Sequence, residues 1–282
     1  MTSMATAGRF EGGRAVGAAF AVLGKRWLAL ATLYVCLSVA PLIAGTLLRP
    51  TAATVAHDAN AFALYCAITV GLIIVGWFRD AAIVSVALQP AQAGSTLWRG
   101  LADAASSLPA MLPIWLIADA PAALPLWMLR TPTKAGASLA TIGAESLLIA
   151  IGTWLLRVIL TVIWGIVVPV VIAERRGTFA SVARSVRLMT GARWPFLALY
   201  IVTQVVAAIP AILTGFVLAF VIATRGASAA SVLQTERLLV LAPVLLAGIV
   251  GLVWYVVVAT SYREMRRAHD GLPADDAADV FT

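Results

Sequence analysis

Charge is what this chain has least of. Only 12% of its 282 residues are Asp, Glu, Lys or Arg, while 62% are hydrophobic. A soluble domain carries about a quarter charged residues, so this sequence lacks the polar surface that a water-facing fold needs. Lipid is the solvent that removes the deficit. Histidine is almost as scarce. His57 and His269 are the two present, and neither lies in a long apolar run. No HExxH, CxxC, GxSxG or phosphate-loop pattern occurs. A histidine-based metal centre or a Ser-His dyad within a bilayer is therefore excluded. We expect no catalytic residue, no metal and no cofactor, and the chain reads as non-enzymatic. The two cysteines, Cys36 and Cys66, both sit inside apolar runs, which argues against a disulfide framework or a thiolate metal site.

What the chain has instead is long apolar runs. A hydrocarbon core about 30 Å thick takes roughly 20 residues of helix at about 1.5 Å each. Six runs qualify, at about 27–48, 61–89, 107–129, 146–173, 194–224 and 238–262. The first is long enough to span and reads as an uncleaved membrane helix. The second contains Arg79 and Asp80 and ends either at Phe78 or near Gln89. Asp119 interrupts the third and Arg157 the fourth. Short alternating segments, the mark of a β-barrel, are missing. The fold class expected is all-α: a polytopic membrane helix bundle of about six transmembrane helices, one domain over 1–270. Residues 271–282, with Asp275, Asp276 and Asp279, read as a disordered acidic tail. Pro41, Pro121, Pro125, Pro169, Pro210 and Pro243 fall inside the runs, where kinks are expected.

The net charge of +7 has a topological cause. Fourteen Lys and Arg residues fall in the N-terminal arm, the 2–3 and 4–5 connections and the tail, against five in the opposite loops. The positive-inside rule then places both termini in the cytoplasm, and nucleic acid is not expected as a partner. Trp27, Trp98 and Trp194 read as interfacial anchors, and Trp154, Trp164 and Trp254 as deeper packing residues.

Three cytoplasmic segments read as interfacial amphipathic helices. In 178–190, Phe179, Val182, Val186 and Met189 form one stripe, with Arg184 and Arg187 away from its centre, Thr178 as N-cap and Gly191 as C-cap. Segments 10–23 and 95–108 are similar. Arg14 to Pro41 is 27 residues, Arg99 to Pro125 is 26 and Arg184 to Pro210 is 26. That spacing suggests a threefold tandem hairpin repeat.

Ionisable residues at bilayer depth cost roughly 2.5–3.5 kcal/mol on insertion scales and usually face a partner or a cavity. Asp119 and Arg157 are expected to pair across neighbouring spans. Arg79 and Asp80 join them in an intramembrane polar cluster if span two continues to Gln89. Arg175, Arg176, Arg184 and Arg187 are candidates for anionic lipid headgroups. Glu174 is expected to pair with Arg175, Arg176 or a tail arginine and pin the loop.

The stretch Pro169-Val-Val-Ile-Ala-Glu174-Arg-Arg-Gly177, followed by Arg184-Ser185, Leu188, Gly191 and Trp194, resembles a bacterial family, the glycerophosphoryl diester phosphodiesterase membrane domain. The tail Tyr262-Arg263-Glu264-x-Arg266-Arg267 and the segment from Phe10 to Trp27 resemble that family's ending and beginning. The resemblance implies a stand-alone membrane domain of the bacterial cytoplasmic (inner) membrane, with Pro169, Glu174, Gly177, Arg184, Ser185 and Gly191 as structural motif positions. It implies no reaction. The phosphodiesterase of that name is a barrel of about 250 residues, which this chain does not supply. Two readings of function follow. One is a structural, accessory or lipid-associated component, with membrane lipids as partners. The other is a small transporter or channel using Asp80, Asp119 and Arg157.

Overall fold

The computed structural model describes residues 10–48, 50, 58–89, 96–119, 151–153, 155–156, 158–161, 163–225 and 229–270. All regular structure among them is helical. Helix α1 (Gly12–Tyr34) runs through a π-helical turn at Val35–Val39 into α2 (Ala40–Leu48). Then come α3 (Ala59–Leu88), α4 (Thr96–Asp119), a short apolar helix at Ile151–Thr161, α5 (Val167–Glu174), α6 (Thr178–Leu188), α7 (Arg193–Arg225) and α8 (Ala229–Asp270). Five stretches among the described residues are long and apolar enough to cross a membrane: Gly12–Leu48, Ala59–Leu88, Leu97–Ala118, Arg193–Thr214 and Leu245–Asp270. The chain is an all-helical, multi-pass type of molecule.

Local chemistry explains most of these boundaries. Asp58 caps α3, its carboxylate accepting from the Asn60 amide at 2.8 Å. The π-turn comes just before Pro41, whose missing N–H and ring disfavour a regular turn there. At Arg26 the backbone leaves helical values (φ −123°, ψ 17°). This kink divides the basic segment 12–25 from the apolar run that starts at Trp27. Gly191 takes φ +87° in the turn before α7, a conformation that favours glycine.

Of the two ends left open for the second run, the helix reaches the later one, because α3 continues unbroken to Leu88. Two expectations are revised. Segment 95–108 is not a separate helix. It is continuous with the run that follows, and α4 passes through Pro109 and Pro113 without ending. The run 146–173 is not one helix either. It breaks at Gly165–Ile166, where Phe196 packs so close that a Cβ on Gly165 would lie 2.5 Å from its ring. Ile166 and Phe196 are both fully buried, so the irregular backbone is enclosed by protein, as it must be at membrane depth. Pro121, Pro125, Trp154 and the tail 271–282 lie outside the described residues, so the repeat unit built on Pro125 does too.

The core is concentrated at the end of the bundle that carries the arginines. The last three turns of α3, Asp80 to Gln89, are buried on every face. A helix apolar all round is a helix packed all round, and α3 contacts α1, α2, α4, α5 and α8. Gly100 of α4 permits the closest approach, since a Cβ there would lie 2.5 Å from Val86 Cγ2. Trp77 stacks on Trp115 at 5.3 Å, and Trp254 packs against Phe196 and Tyr200. Away from this end the apolar side chains of α3 and α7 stand uncovered, among them Leu64, Val70, Val205, Phe216 and Phe220.

Candidate functional site

Polar side chains gather at two depths. The deeper group lies on α3. Arg79 and Asp80 are adjacent in sequence, and the Arg79 Nε donates to Asp80 Oδ1 at 2.7 Å. Arg79 also donates to the Ser38 hydroxyl at 3.1 Å, which the π-turn brings to that level. Asp80 is buried. Arg79 is nine residues from the end of α3, about 13 Å of helix rise, so the pair sits inside the bundle. Nearby, the Tyr34 phenol donates to the Leu245 carbonyl across Gly248. The pair is thus neutralised internally and tied to the α1–α2 junction. Asp119 is the last residue of α4, but its side chain and Arg157 lie outside the described residues, as does their expected pairing.

The second group is at the arginine-bearing end and centres on Glu174. Its side chain is 9% exposed and is met by Arg176 Nε at 2.7 Å, Arg184 Nε at 3.3 Å and the Tyr262 hydroxyl at 3.2 Å. Arg184 reaches further, donating to both Asp270 oxygens at 2.8 and 2.6 Å. One carboxylate and one guanidinium therefore join α5, α6 and α8. The Asp270 hydrogen bonds push the Arg184 pKa above its ordinary value. Burial opposes them and Glu174 adds to the rise. Around this knot, Arg267 pairs with Glu264 at 2.8 Å, Arg14 approaches Glu264 at 3.7 Å, and Arg266 approaches Asp270 at 3.5 Å.

Several expected roles change here. Thr178 is not the N-cap of α6. Gly177 holds that position, and the Thr178 hydroxyl donates to the Ala110 carbonyl of α4 at 2.8 Å. Arg175 does not pair with Glu174. It adopts a left-handed conformation at the end of α5 (φ 48°) and turns to Asp103 at 3.3 Å. Arg184 is only 14% exposed, because the face that α6 turns inward is Ser181, Ser185 and Leu188. Phe179 points outward at 87% exposure, and Val182 and Val186 are half-buried. Arg187 is exposed. Of the motif residues, Pro169 and Ser185 are buried, and Gly177 and Gly191 occupy the turns flanking α6.

No family model, curated protein or solved structure matches the chain. The site must speak through its own geometry.

One further feature escaped the sequence reading. Where α3 ends, two arginines from distant helices converge on its last carbonyls. Arg26 of α1 donates to Val86 O and, at 2.6 Å, to Gln89 O. Arg263 of α8 donates to Ala87 O at 3.0 Å and to the same Gln89 O at 3.4 Å. Cations suit a helix C-terminus, which carries about half a negative charge. The Gln89 side chain is buried, and neither its oxygen nor its nitrogen has a hydrogen-bond partner. A buried polar group left this way costs about 1–3 kcal/mol. Nothing in the local sequence around Gln89 signals these partners. Among the described residues, no three His, Cys, Asp or Glu side chains group closely enough to hold a metal.

Large apolar side chains stand exposed on the segments that carry these arginines. Phe20, Trp27, Trp98, Phe179 and Trp194 are all strongly exposed, Trp194 at 80%. All but Phe20 lie within three residues of an arginine, a pairing of aromatics and cations that suits a membrane–water interface.

Proposed function

We propose that this chain is a non-enzymatic, six-span protein of the bacterial cytoplasmic membrane with both termini in the cytoplasm. In this reading it acts as a structural, accessory or lipid-associated component. The observation that carries the proposal is the use to which the motif charges are put. Glu174 and Arg184 are spent on tying α5, α6 and α8 together, which is the work of a scaffold. The exposed aromatics beside arginines support a membrane interface at that level. The sixth span would be the run 146–173, entering as the helix Ile151–Thr161 and leaving as α5 after the break at Gly165. The kink at Arg26 and the separate α6 support interfacial helices at those two places. The resemblance to the glycerophosphoryl diester phosphodiesterase membrane domain is part of the proposal, supported by the placement of Pro169, Glu174, Gly177, Arg184, Ser185 and Gly191 around one α5–α6 corner.

A transport reading has one specific observation in its favour. The Arg79–Asp80 pair lies beside a π-turn, a feature often found at functional sites. The two readings separate in proteoliposomes. With imposed proton and sodium gradients, the scaffold reading predicts dissipation no faster than in protein-free vesicles. Flux abolished by Asp80→Asn would overturn it in favour of transport.

A further inference from the structure

The ion pairs of the arginine-bearing end leave some cations over. Glu11, Asp103, Glu174, Glu264 and Asp270, the carboxylates described there, are each ion-paired already. Arg175, Arg176 and Arg184, three of the arginines expected at lipid headgroups, are the partners of these acids. Lys25, Arg99, Arg187 and Arg193 are exposed, and none of their side chains makes a hydrogen bond or ion pair among the described residues. Three of them stand within two residues of a strongly exposed tryptophan: Lys25 by Trp27, Arg99 by Trp98 and Arg193 by Trp194. Each tryptophan opens a stretch apolar enough to cross a membrane, Trp27 after the kink at Arg26 and the other two at the second residue. Arg187 lies on the outer side of α6, about two turns after the exposed Phe179.

These helix starts share one level. Arg26 reaches the end of α3, and Gly100 of α4 packs on Val86 in the same last turn. Arg263 of α8 reaches that end too. Nine residues back along α8, about 13 Å, Trp254 packs on Phe196, three residues into α7 from Arg193. Only residues 226–228 join α7 to α8, so the two helices run antiparallel. Arg193 therefore lies within about 10 Å of the end of α3 along the bundle. That offset is comparable to the thickness of one headgroup layer, and long cationic side chains bridge it.

We propose that Lys25, Arg99, Arg187 and Arg193 form a belt that collects anionic phospholipids around this end of the bundle. The occupant is the headgroup layer of the bilayer that holds the chain. Its phosphates supply the counter-charge that the paired carboxylates do not, while Trp27, Trp98 and Trp194 fix the belt at headgroup depth. Guanidinium groups suit phosphate oxygens because their paired N–H bonds match that geometry. The inference rests on the membrane reading above and names the lipid class and the contacts which that reading left open.

The test uses the full chain, reconstituted in phosphatidylcholine bilayers that contain a minor fraction of phosphatidylglycerol. One lipid at a time carries acyl chains brominated near the headgroup, and quenching of tryptophan fluorescence reports which lipid lies against the protein. Brominated phosphatidylglycerol should quench the wild type as though enriched about fivefold over its share of the bilayer, the scale of one cation near an anionic surface. Changing Lys25, Arg99, Arg187 and Arg193 together to Gln should reduce the enrichment to random mixing. Changing the three arginines to Lys should keep it, because the charge stays; loss of enrichment there would overturn the belt. Arg175→Gln, which removes an exposed arginine already paired with Asp103, should also keep it. Enrichment that persists in the fourfold Gln variant would overturn the proposal, and so would equal quenching of the wild type by the two brominated lipids. In both of those cases the membrane reading survives, since quenching itself shows contact with lipid. A wild type that neither brominated lipid quenches would overturn the membrane reading and the belt together.

Discussion

At the level of single side chains, Arg175 and Arg176 are neighbours that face opposite ways. The left-handed backbone of Arg175 costs about 1 kcal/mol and turns its side chain out to Asp103, leaving Arg176 to Glu174. The two pairs differ in worth. Arg175 is 80% exposed, and exposed ion pairs contribute about 0–1 kcal/mol. Glu174 is almost enclosed, accepts from Arg184 and Tyr262 and is ion-paired with Arg176, so removing its charge leaves the nearly buried Arg184 with Asp270 alone. Glu174→Gln should cost about 3 kcal/mol and lower Tm in detergent by about 5–10 °C. Arg175→Gln should move it by no more than about 3 °C. Equal shifts would mean that the Glu174 knot carries no special stability. The role of Glu174 as a pin was legible because it is the one acid in an arginine-rich connection. Its partners were not. Tyr262 lies 88 residues from Glu174, and Asp270 lies 86 from Arg184, and no local pattern encodes such distances. Gln89 was read only as a possible span end, since an uncharged amide gives no sign in sequence of being buried unsatisfied.

At the level of elements, hydropathy located the helices and misplaced some of their breaks. Of the prolines where kinks are expected, Pro41 follows a π-helical turn and Pro210 lies inside a continuous α7, just as Pro109 and Pro113 lie inside α4. The break in 146–173 occurs at a glycine instead. Glycine is common in membrane helices, so Gly165 alone announced nothing. The cause is the ring of Phe196 some thirty residues away, which fills the space that a side chain would take. Gly165→Ala should therefore be poorly tolerated, because its Cβ would meet both the Phe196 ring and the Thr161 carbonyl at about 2.5 Å. We expect a cost of about 1–3 kcal/mol. Gly152→Ala, in open space on the neighbouring helix, should have little effect. A Gly165→Ala chain as heat-stable as the Gly152→Ala chain would show that the tight Phe196 packing does not set the break. The amphipathic stripe of α6 shows the same limit. Spacing identified the helix, but which face turns inward was decided by the small Ser181 and Ser185 fitting against the bundle.

At the scale of the whole molecule, composition alone fixed the essential physics. Too few charges and too many long apolar runs leave no means of covering the fold with water. The structure adds an uneven distribution of packing. The arginine-bearing end is a dense, hydrogen-bonded core around the end of α3. The rest of α3 and most of α7 present bare Leu, Val, Ile and Phe side chains. Such a surface is stable only if hydrocarbon covers it. The chain carries its own reporter for this claim. Cys36 lies on the surface of the fold, within the π-turn of the first apolar stretch. Membrane vesicles with both faces open to reagent are treated with a membrane-impermeant maleimide, and Cys36 modification is read by mass spectrometry. The account predicts no modification over a time in which the same thiol reacts fully in SDS. Prompt modification of Cys36 in intact vesicles would place water where this account places lipid.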